Sequence, residues 1–128
     1  TFVTVDTVNK YGQHLGGLIV PGLKLLQSAL SHFIGAQPLD LQNDEEHPAI
    51  LARDTYHAVT GGGIYALIAF IETIKTDMTQ ALGKNCRFIL TGGDAESLQP
   101  LLKSHYQWEP HIVLQGLAAY TQHAIADA

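Results

Sequence analysis

The stretches FVTVDTV (residues 2–8) and HLGGLIV (residues 14–20) decide the fold class of this chain. The first is rich in valine and threonine, and the second is an apolar run of leucine, isoleucine and valine around two glycines. Valine, isoleucine and threonine favour extended strands. The turn signal NKYG (residues 9–12) separates them. The sequence therefore predicts a β-hairpin over these residues. Asp6 interrupts the first strand and is either outward-facing or a cation or general-base site, and the strand pattern leaves both open.

Helical periodicity follows the hairpin. Apolar residues recur every three or four positions over residues 21–34 and stop at Gly35, which predicts a helix. Residues 36–50 lose this periodicity and carry two prolines and three consecutive acidic residues. Such a composition indicates an irregular, solvated segment, and we expect it to be mobile.

A second, longer helix is predicted from an N-cap at Asp54 or Thr55 to its end at Gly83. Its first turns contain three consecutive glycines, residues 61–63. Each glycine costs a helix interior about 1 kcal/mol relative to alanine. We therefore expect these glycines to permit a close backbone approach to a neighbouring element, with a subunit interface as one candidate.

The last third of the chain alternates strand and helix signals. The run CRFILT (residues 86–91) is apolar enough to predict a buried central strand, and a paired-glycine turn then opens a short helix interrupted by Pro100. A short strand over residues 111–114 and a helix over 117–125 complete the order. Hairpin, helix, helix, strand, helix, strand, helix predicts an α/β fold with a mixed sheet flanked by helices.

Composition limits the class of protein. A length of 128 residues suits a single domain spanning 1–128, and 46% apolar against 15% charged residues excludes a disordered chain. No apolar run approaches the ~20 residues of a membrane helix, so no membrane partner is expected. The net charge of −5 and the scattered basic residues argue against nucleic acid. The single cysteine, Cys86, excludes an internal disulfide and indicates a reducing compartment.

Most of the residues that could carry chemistry have a plain structural explanation. The seven histidines include no pair at the i, i+4 spacing of a helical zinc site, so we expect them at the surface or individually satisfied. Cys86 begins a predicted strand, where small apolar packing explains it. The paired glycines Gly16 and Gly17 within a strand indicate a bulge or a tight contact.

The turn TGGD (residues 91–94) is a candidate for ligand binding. A strand-to-helix turn without side chains lets backbone N–H groups meet a phosphate or a nucleotide. Glycine also serves such turns merely by adopting positive φ. The turn alone therefore leaves nucleotide binding and plain chain reversal open.

Five segments, taken together and in order, resemble the C-terminal half of the type III pantothenate kinases, the family that includes the Bvg accessory factor proteins. They are TFVTVD (1–6), HLGGLIVPG (14–22), RDT (53–55), LTGGDA (90–95) and HIVLQGL (111–117). The resemblance covers nearly all of the chain. It implies the actin-like kinase fold, in which two ribonuclease-H-like lobes enclose ATP in a cleft, with this chain as the C-terminal lobe.

The resemblance also implies a reaction and roles for individual residues. The reaction is the phosphorylation of pantothenate to 4′-phosphopantothenate, the first step of coenzyme A synthesis, with ATP, Mg²⁺ and a monovalent cation, K⁺ or NH₄⁺. Thr1 matches a threonine that contacts ATP, Gly92 and Gly93 serve the nucleotide, and Thr55 matches a threonine that reaches pantothenate. The aspartate that ligates the cation would lie just before Thr1, so no metal ligand is expected in these residues. We expect a cytoplasmic homodimer.

Two departures from the family pattern matter. Ala52 and Asp54 replace a commoner glycine and asparagine beside Thr55, which puts a negative charge near the carboxylate of the substrate. The Gly-x-Asp-Arg segment that supplies the general base belongs to the N-terminal lobe of the family, so we expect no catalytic residue in this chain. A non-catalytic regulatory or interaction module on the same fold is the alternative. A third hypothesis is a related kinase that acts on a sugar or on acetate.

Overall fold

A computed structural model of the chain describes residues 2–35 and 50–126. In chain order its elements are β1 (Phe2–Val8), β2 (His14–Pro21), α1 (Leu23–Ile34), α2 (Thr55–Leu82), β3 (Ile89–Leu90), α3 (Ala95–Leu98), the 3₁₀ helix Gln99–Leu101, β4 (Gln107–Trp108) and α4 (Ile112–Ala126). The ATP-binding prediction for Thr1 and nearly all of the predicted irregular segment lie outside the described residues.

The chain divides into two compact units, one ending at Ala69 and the other beginning at Phe70. The first unit contains the hairpin, α1 and the first half of α2. The second contains the rest of α2 and the elements that follow it. Each unit is described below by itself.

The predicted hairpin is confirmed, with β1 and β2 antiparallel. The strand register shifts between Thr7 and Val8, which is the irregularity that the paired glycines predicted. Opposite this shift, Gly16 has a φ of 122°. A Cβ on Gly17 would lie 1.9 Å from the carbonyl oxygen of Val5, so the second glycine lets the two backbones approach.

Helix α1 begins at Leu23, two residues later than predicted, because Pro21 is the last residue of β2. Gly22 precedes the helix in an extended conformation, with φ −77° and ψ 174°. The predicted end at Gly35 is confirmed. Gly35 is left-handed, with φ 66°, and its N–H donates to the carbonyl of Ser31.

Helix α2 approaches α1 through the predicted glycines. Gly61 and Gly63 are buried, and a Cβ on Gly63 would lie 3.1 Å from Cδ1 of Leu23 and 3.9 Å from Cγ of Gln27. The expected close approach is therefore confirmed at Gly63, where side chains of α1 are the neighbours, whereas a Cβ on Gly62 would meet nothing within 4 Å. The subunit interface that these glycines also suggested stays a prediction.

The predicted buried strand over residues 86–91 is wrong in both extent and burial. Only Ile89–Leu90 forms a strand, β3, and it pairs in parallel with β4. Ile89 remains 44% exposed. A short apolar run signals a preference for burial but does not fix how many neighbouring strands cover it, and within the described residues β3 has one.

The predicted strand over residues 111–114 is also wrong, because these residues lead into and begin α4. A four-residue apolar run fits the strand period and the helix period equally well. Here the helix after it extends back to Ile112, and its first turn closes through Gln115 N–H donating to His111 O at 2.9 Å. The described residues therefore contain two separate two-stranded sheets, one antiparallel and one parallel, instead of one mixed sheet.

The short interrupted helix is confirmed. Helix α3 ends at Leu98 and continues as a 3₁₀ turn that contains Pro100. Ala95, Leu98 and Tyr106 are the buried apolar side chains of the second unit among the residues described.

Helix α2 has 28 residues and reaches a mean hydropathy of 1.3 over its most apolar window. By length and composition alone it could cross a membrane, contrary to the expectation that no apolar segment approaches that length. A single such helix is weak evidence, because the core helix of a soluble protein passes the same test.

Candidate functional site

The first candidate site is the start of α2 in the first unit, where Asp54 contacts His57 twice. Its Oδ1 accepts the backbone N–H of His57 at 2.9 Å, and its Oδ2 lies 2.6 Å from Nδ1 of the His57 ring. The first contact is the hydrogen bond of an N-cap to the third helical residue. Of the two candidates, Asp54 is therefore the cap, and Thr55 is the first residue of the helix.

The contacts with His57 also hold the pKa of Asp54 below its ordinary value of 3.8. The backbone hydrogen bond has the largest effect, and the bond from the ring adds to it. Asp54 is therefore ionised at neutral pH, and both of its oxygens face His57. The negative charge beside Thr55 is therefore the carboxylate that caps the helix.

Thr55 also lines an open hollow of about 530 Å³ in the first unit. Apolar side chains from α1 and α2 form part of its surface, and Arg53 adds a cation to its lining. A small molecule with an apolar body and an anionic or hydroxyl group has complementary partners here. The lining residues are Leu30, Ile34, Ala52, Arg53, Asp54, Thr55, Ala58 and Val59.

A separate candidate site is the glycine turn in the second unit. It follows β3 directly and leads into α3. Gly92 has a φ of 100°, a conformation that favours glycine, and its carbonyl accepts the N–H of Ala95 at 3.3 Å. A Cβ on Gly92 or Gly93 would meet nothing within 4 Å. The turn is thus open enough for a phosphate or a nucleotide to reach its backbone.

Sequence reasoning missed a carboxylate that supports this second unit. Oε1 of Glu72 accepts the N–H of Lys103 at 2.8 Å and that of Ser104 at 2.9 Å, and Oε2 accepts the Ser104 hydroxyl at 2.5 Å. These partners lie 31 and 32 residues away along the chain. Helical periodicity relates residues three or four apart, so no local pattern in the sequence indicates these distant partners of Glu72.

Lys75, one turn further along α2, contacts the same segment. Its ammonium donates to the carbonyl of His105 and lies 4.3 Å from the ring centre of Tyr106 and 5.3 Å from that of Phe88. A cation over aromatic faces is attracted by the ring quadrupoles. Tyr106 and Phe88 also contact each other edge to face, with their centres 6.4 Å apart.

This cluster shifts two pKa values. Desolvation raises the pKa of Glu72, but the hydrogen bonds from Ser104 and Lys103 and the charge of Lys75 outweigh it, so the pKa lies below 4.5. Burial, assisted by the charge of Glu72, raises the pKa of Tyr106 to about 12. Glu72 is therefore ionised and Tyr106 neutral at physiological pH.

The other candidates have simpler surroundings. Asp6 is exposed and lies 3.0 Å from Nε2 of His14 on the facing strand, so the outward-facing interpretation is confirmed. Cys86 is half-buried and has a free thiol. Across residues 2–35 and 50–126, no three His, Cys, Asp or Glu side chains are grouped to hold a metal ion.

Thr55 belongs to the first compact unit, and Gly92 and Gly93 belong to the second. The elements define the class as a mixed α/β protein with small sheets. Its two candidate sites are the open hollow beside the capped start of the long helix and the open glycine turn. Comparison with known proteins narrows this class to a family.

The model of the family Type III pantothenate kinase matches residues 1–77. A type III pantothenate kinase from Nitrosococcus oceani is 35% identical over 119 residues, which are 92% of this chain and 44% of that protein. One from Alkalilimnicola ehrlichii is 41% identical over 118 residues, or 92% and 46%. The chain belongs to the type III pantothenate kinase family, as the sequence motifs predicted.

The chain spans about half the length of the curated relatives that it matches. Among solved structures, that of a Baf family protein from Campylobacter jejuni is similar, with a TM-score of 0.65 and 20% sequence identity. The similarity covers 98% of this chain and 55% of that one. At this identity the match supports the fold alone.

Proposed function

We propose that this chain is the C-terminal, ribonuclease-H-like lobe of an enzyme that transfers a phosphoryl group from ATP to pantothenate, forming 4′-phosphopantothenate. Beyond the family itself, one observation supports the proposal: Asp54 caps α2, so helix capping does not explain Thr55. Thr55 lines an open hollow of about 530 Å³, which has room for a small substrate.

In this proposal the two units bind different molecules. Thr55 binds pantothenate, and the neighbouring hollow receives the apolar part of that substrate. Gly92 and Gly93 bind ATP through backbone N–H groups, together with Thr1. The openness of the turn supports this role, since both glycines are exposed and a Cβ on either would meet nothing within 4 Å.

The proposed reaction asks little covalent chemistry of this lobe. Phosphoryl transfer depends mainly on positioned donors, on cations that neutralise charge, and on a carboxylate that accepts the proton of the attacking hydroxyl. ATP supplies the phosphoryl group, and Mg²⁺ and K⁺ or NH₄⁺ would supply the charge neutralisation. We assign the general base and the cation ligands to an N-terminal lobe outside these residues.

The proposal also includes the assembly and location of the whole protein, which we propose to be a homodimer in the cytoplasm.

The proposal is tested on the intact gene product. Purified protein is incubated with ATP, Mg²⁺, labelled pantothenate and either K⁺ or NH₄⁺. Formation of labelled phosphopantothenate is expected with at least one monovalent cation. Absence of product with every cation, from protein shown to be folded, would overturn the proposal.

A second candidate is a non-catalytic regulatory or interaction module on the same fold, which agrees with the description of the similar Campylobacter jejuni protein as a Baf family transcriptional activator. The same assay separates the two, because a regulatory module binds without turnover. A panel that replaces pantothenate with acetate or simple sugars separates both from a related kinase of different specificity.

A further inference from the structure

We infer that Glu72 is a positioning residue for the glycine turn at Gly92 and Gly93. Glu72 does not touch the turn itself. It acts through the segment that precedes β4 and through the pairing of β4 with β3. The inference rests on the proposed function, in which this turn binds ATP.

The first step is the attachment of the segment before β4 to α2. Glu72 accepts three hydrogen bonds from two consecutive residues, Lys103 and Ser104. Bonds to an ionised carboxylate are stronger than neutral ones, and bonds to two adjacent backbone N–H groups fix the direction of the chain as well as its place. Residues 103 and 104 are therefore held to the helix by one side chain.

The second step is the attachment of the turn to that segment. Strand β4 begins three residues after Ser104. Gln107 donates its N–H to the carbonyl of Phe88 at 2.9 Å, and Glu109 donates to that of Leu90 at 3.0 Å. These two bonds flank β3, whose last residue is followed at once by the turn.

The third step is that β3 has little other backbone support. It is two residues long, and within the described part of the chain β4 is its one strand neighbour. The position of Gly92 therefore depends on where β4 lies, and the position of β4 depends on the attachment at Glu72. Lys75 contributes in parallel, because it contacts the carbonyl of His105 and the rings of Tyr106 and Phe88.

This arrangement predicts a selective effect on the nucleotide. Loss of the Glu72 carboxylate loosens β4 and β3 and displaces the backbone donors of the turn. The KM for ATP should therefore rise, whereas the KM for pantothenate, assigned to the other unit, should not. A purely structural role for Glu72 would lower the fraction of folded protein and leave both KM values of the folded remainder unchanged.

The test compares variants of the intact gene product. Glu72→Leu removes every acceptor at similar size, and Glu72→Gln keeps Oε1 as an acceptor for the two backbone N–H groups. Ser104→Ala removes only the hydroxyl contact and is the mildest change. The matched control is Asp77→Asn, which removes a charge from an exposed position of the same helix. We measure KM for each substrate and hydrogen exchange of the peptide spanning residues 88–94.

The expected result is a rise in KM for ATP of roughly 3- to 10-fold in Glu72→Leu, a smaller rise in Glu72→Gln and in Ser104→Ala, and none in Asp77→Asn. Exchange in the 88–94 peptide should accelerate in the same order. If Glu72→Leu does not fold, the KM values and exchange rates of Glu72→Gln and Ser104→Ala decide whether Glu72 positions the turn. With an active wild type, an unchanged KM for ATP in the folded variants overturns the inference, whether or not exchange of the peptide changes.

Failure of the proposed function has a different signature. A wild-type protein that phosphorylates no pantothenate, combined with accelerated exchange at residues 88–94 in Glu72→Leu, rejects the kinase assignment and keeps the positioning role of Glu72. Active wild type with an unchanged KM for ATP in folded Glu72→Leu rejects the positioning role and keeps the kinase assignment.

Discussion

Asp54 holds His57 by both of its carboxylate oxygens, at 2.9 Å from the backbone nitrogen and 2.6 Å from ring Nδ1. This pair starts a helix of 28 residues. The carboxylate of Asp54, which is the negative charge beside the proposed substrate-binding threonine, contacts His57 through both oxygens. Thr55 is the first residue of the helix and lines the hollow. One residue caps the helix, and the next is available for binding.

The capping role of Asp54 predicts a contrast between two substitutions. Asp54→Ala removes the side-chain acceptor and should lower the free energy of unfolding, whereas Asp54→Ser keeps an acceptor for the N–H of His57 and should stay close to wild type. Urea denaturation of the intact gene product measures both. Equal losses in the two variants would contradict the cap and point to the ring contact with His57 as the main stabilising contact.

The binding role of Thr55 predicts a split between the two Michaelis constants. Thr55→Val removes the hydroxyl at nearly constant shape, and loss of one hydrogen bond of about 0.5–1.5 kcal/mol should raise the KM for pantothenate roughly 2- to 10-fold. The KM for ATP should barely change. The matched control is Thr121→Val in α4, where the hydroxyl donates to Ala118 O at 2.9 Å within its own helix. Equal effects of Thr55→Val on both constants would argue against substrate binding.

Local signals in the sequence predicted the first unit well. The hairpin, the end of α1 at Gly35 and the start of α2 each follow from turn residues and periodicity that act within a few positions. The paired glycines likewise predicted a tight contact between the two strands, because only a residue without Cβ allows the approach seen at Gly17.

The second unit was predicted less well because its strands are held by long-range contacts. Runs as short as residues 86–91 and 111–114 carry too few residues to separate strand from helix or a central strand from a two-stranded pair. The partner strand at Gln107–Trp108 has no hydrophobic pattern of its own and is defined by bonds to Phe88 and Leu90. For the same reason the contact between Glu72 and Ser104 was not foreseen.

Two adjacent glycines in α2 predict opposite tolerance to alanine. A Cβ on Gly62 would meet nothing within 4 Å, so Gly62→Ala should stabilise the protein by about 0.5–1 kcal/mol through the lower entropy of its unfolded chain. A Cβ on Gly63 would lie 3.1 Å from Leu23, which must shift to accommodate it. Gly63→Ala should therefore gain less stability or lose some. Thermal unfolding of both variants checks this. An equal gain in stability would show that the Leu23 side chain of α1 moves aside at no cost.

The raised pKa of Tyr106 predicts a loss of stability at alkaline pH. The unfolded phenol ionises near its ordinary pKa of 10.0, whereas burial and the charge of Glu72 raise the pKa of the folded one to about 12. Below pH 10 both states hold the proton, and the full stability is present. Between pH 10 and 12 the unfolded state alone releases it, so the free energy of unfolding falls as the pH rises.

The substitution that isolates this effect is Tyr106→Phe. It keeps the aromatic ring beside Phe88 and under the ammonium of Lys75 and removes only the ionisable hydroxyl. Urea denaturation at a series of pH values should show wild type losing more stability than the variant from pH 10 to 12, with a constant difference between them near pH 7. Parallel curves across the whole range would mean that the hydroxyl ionises equally in both states, and that burial against α2 does not oppose its charge.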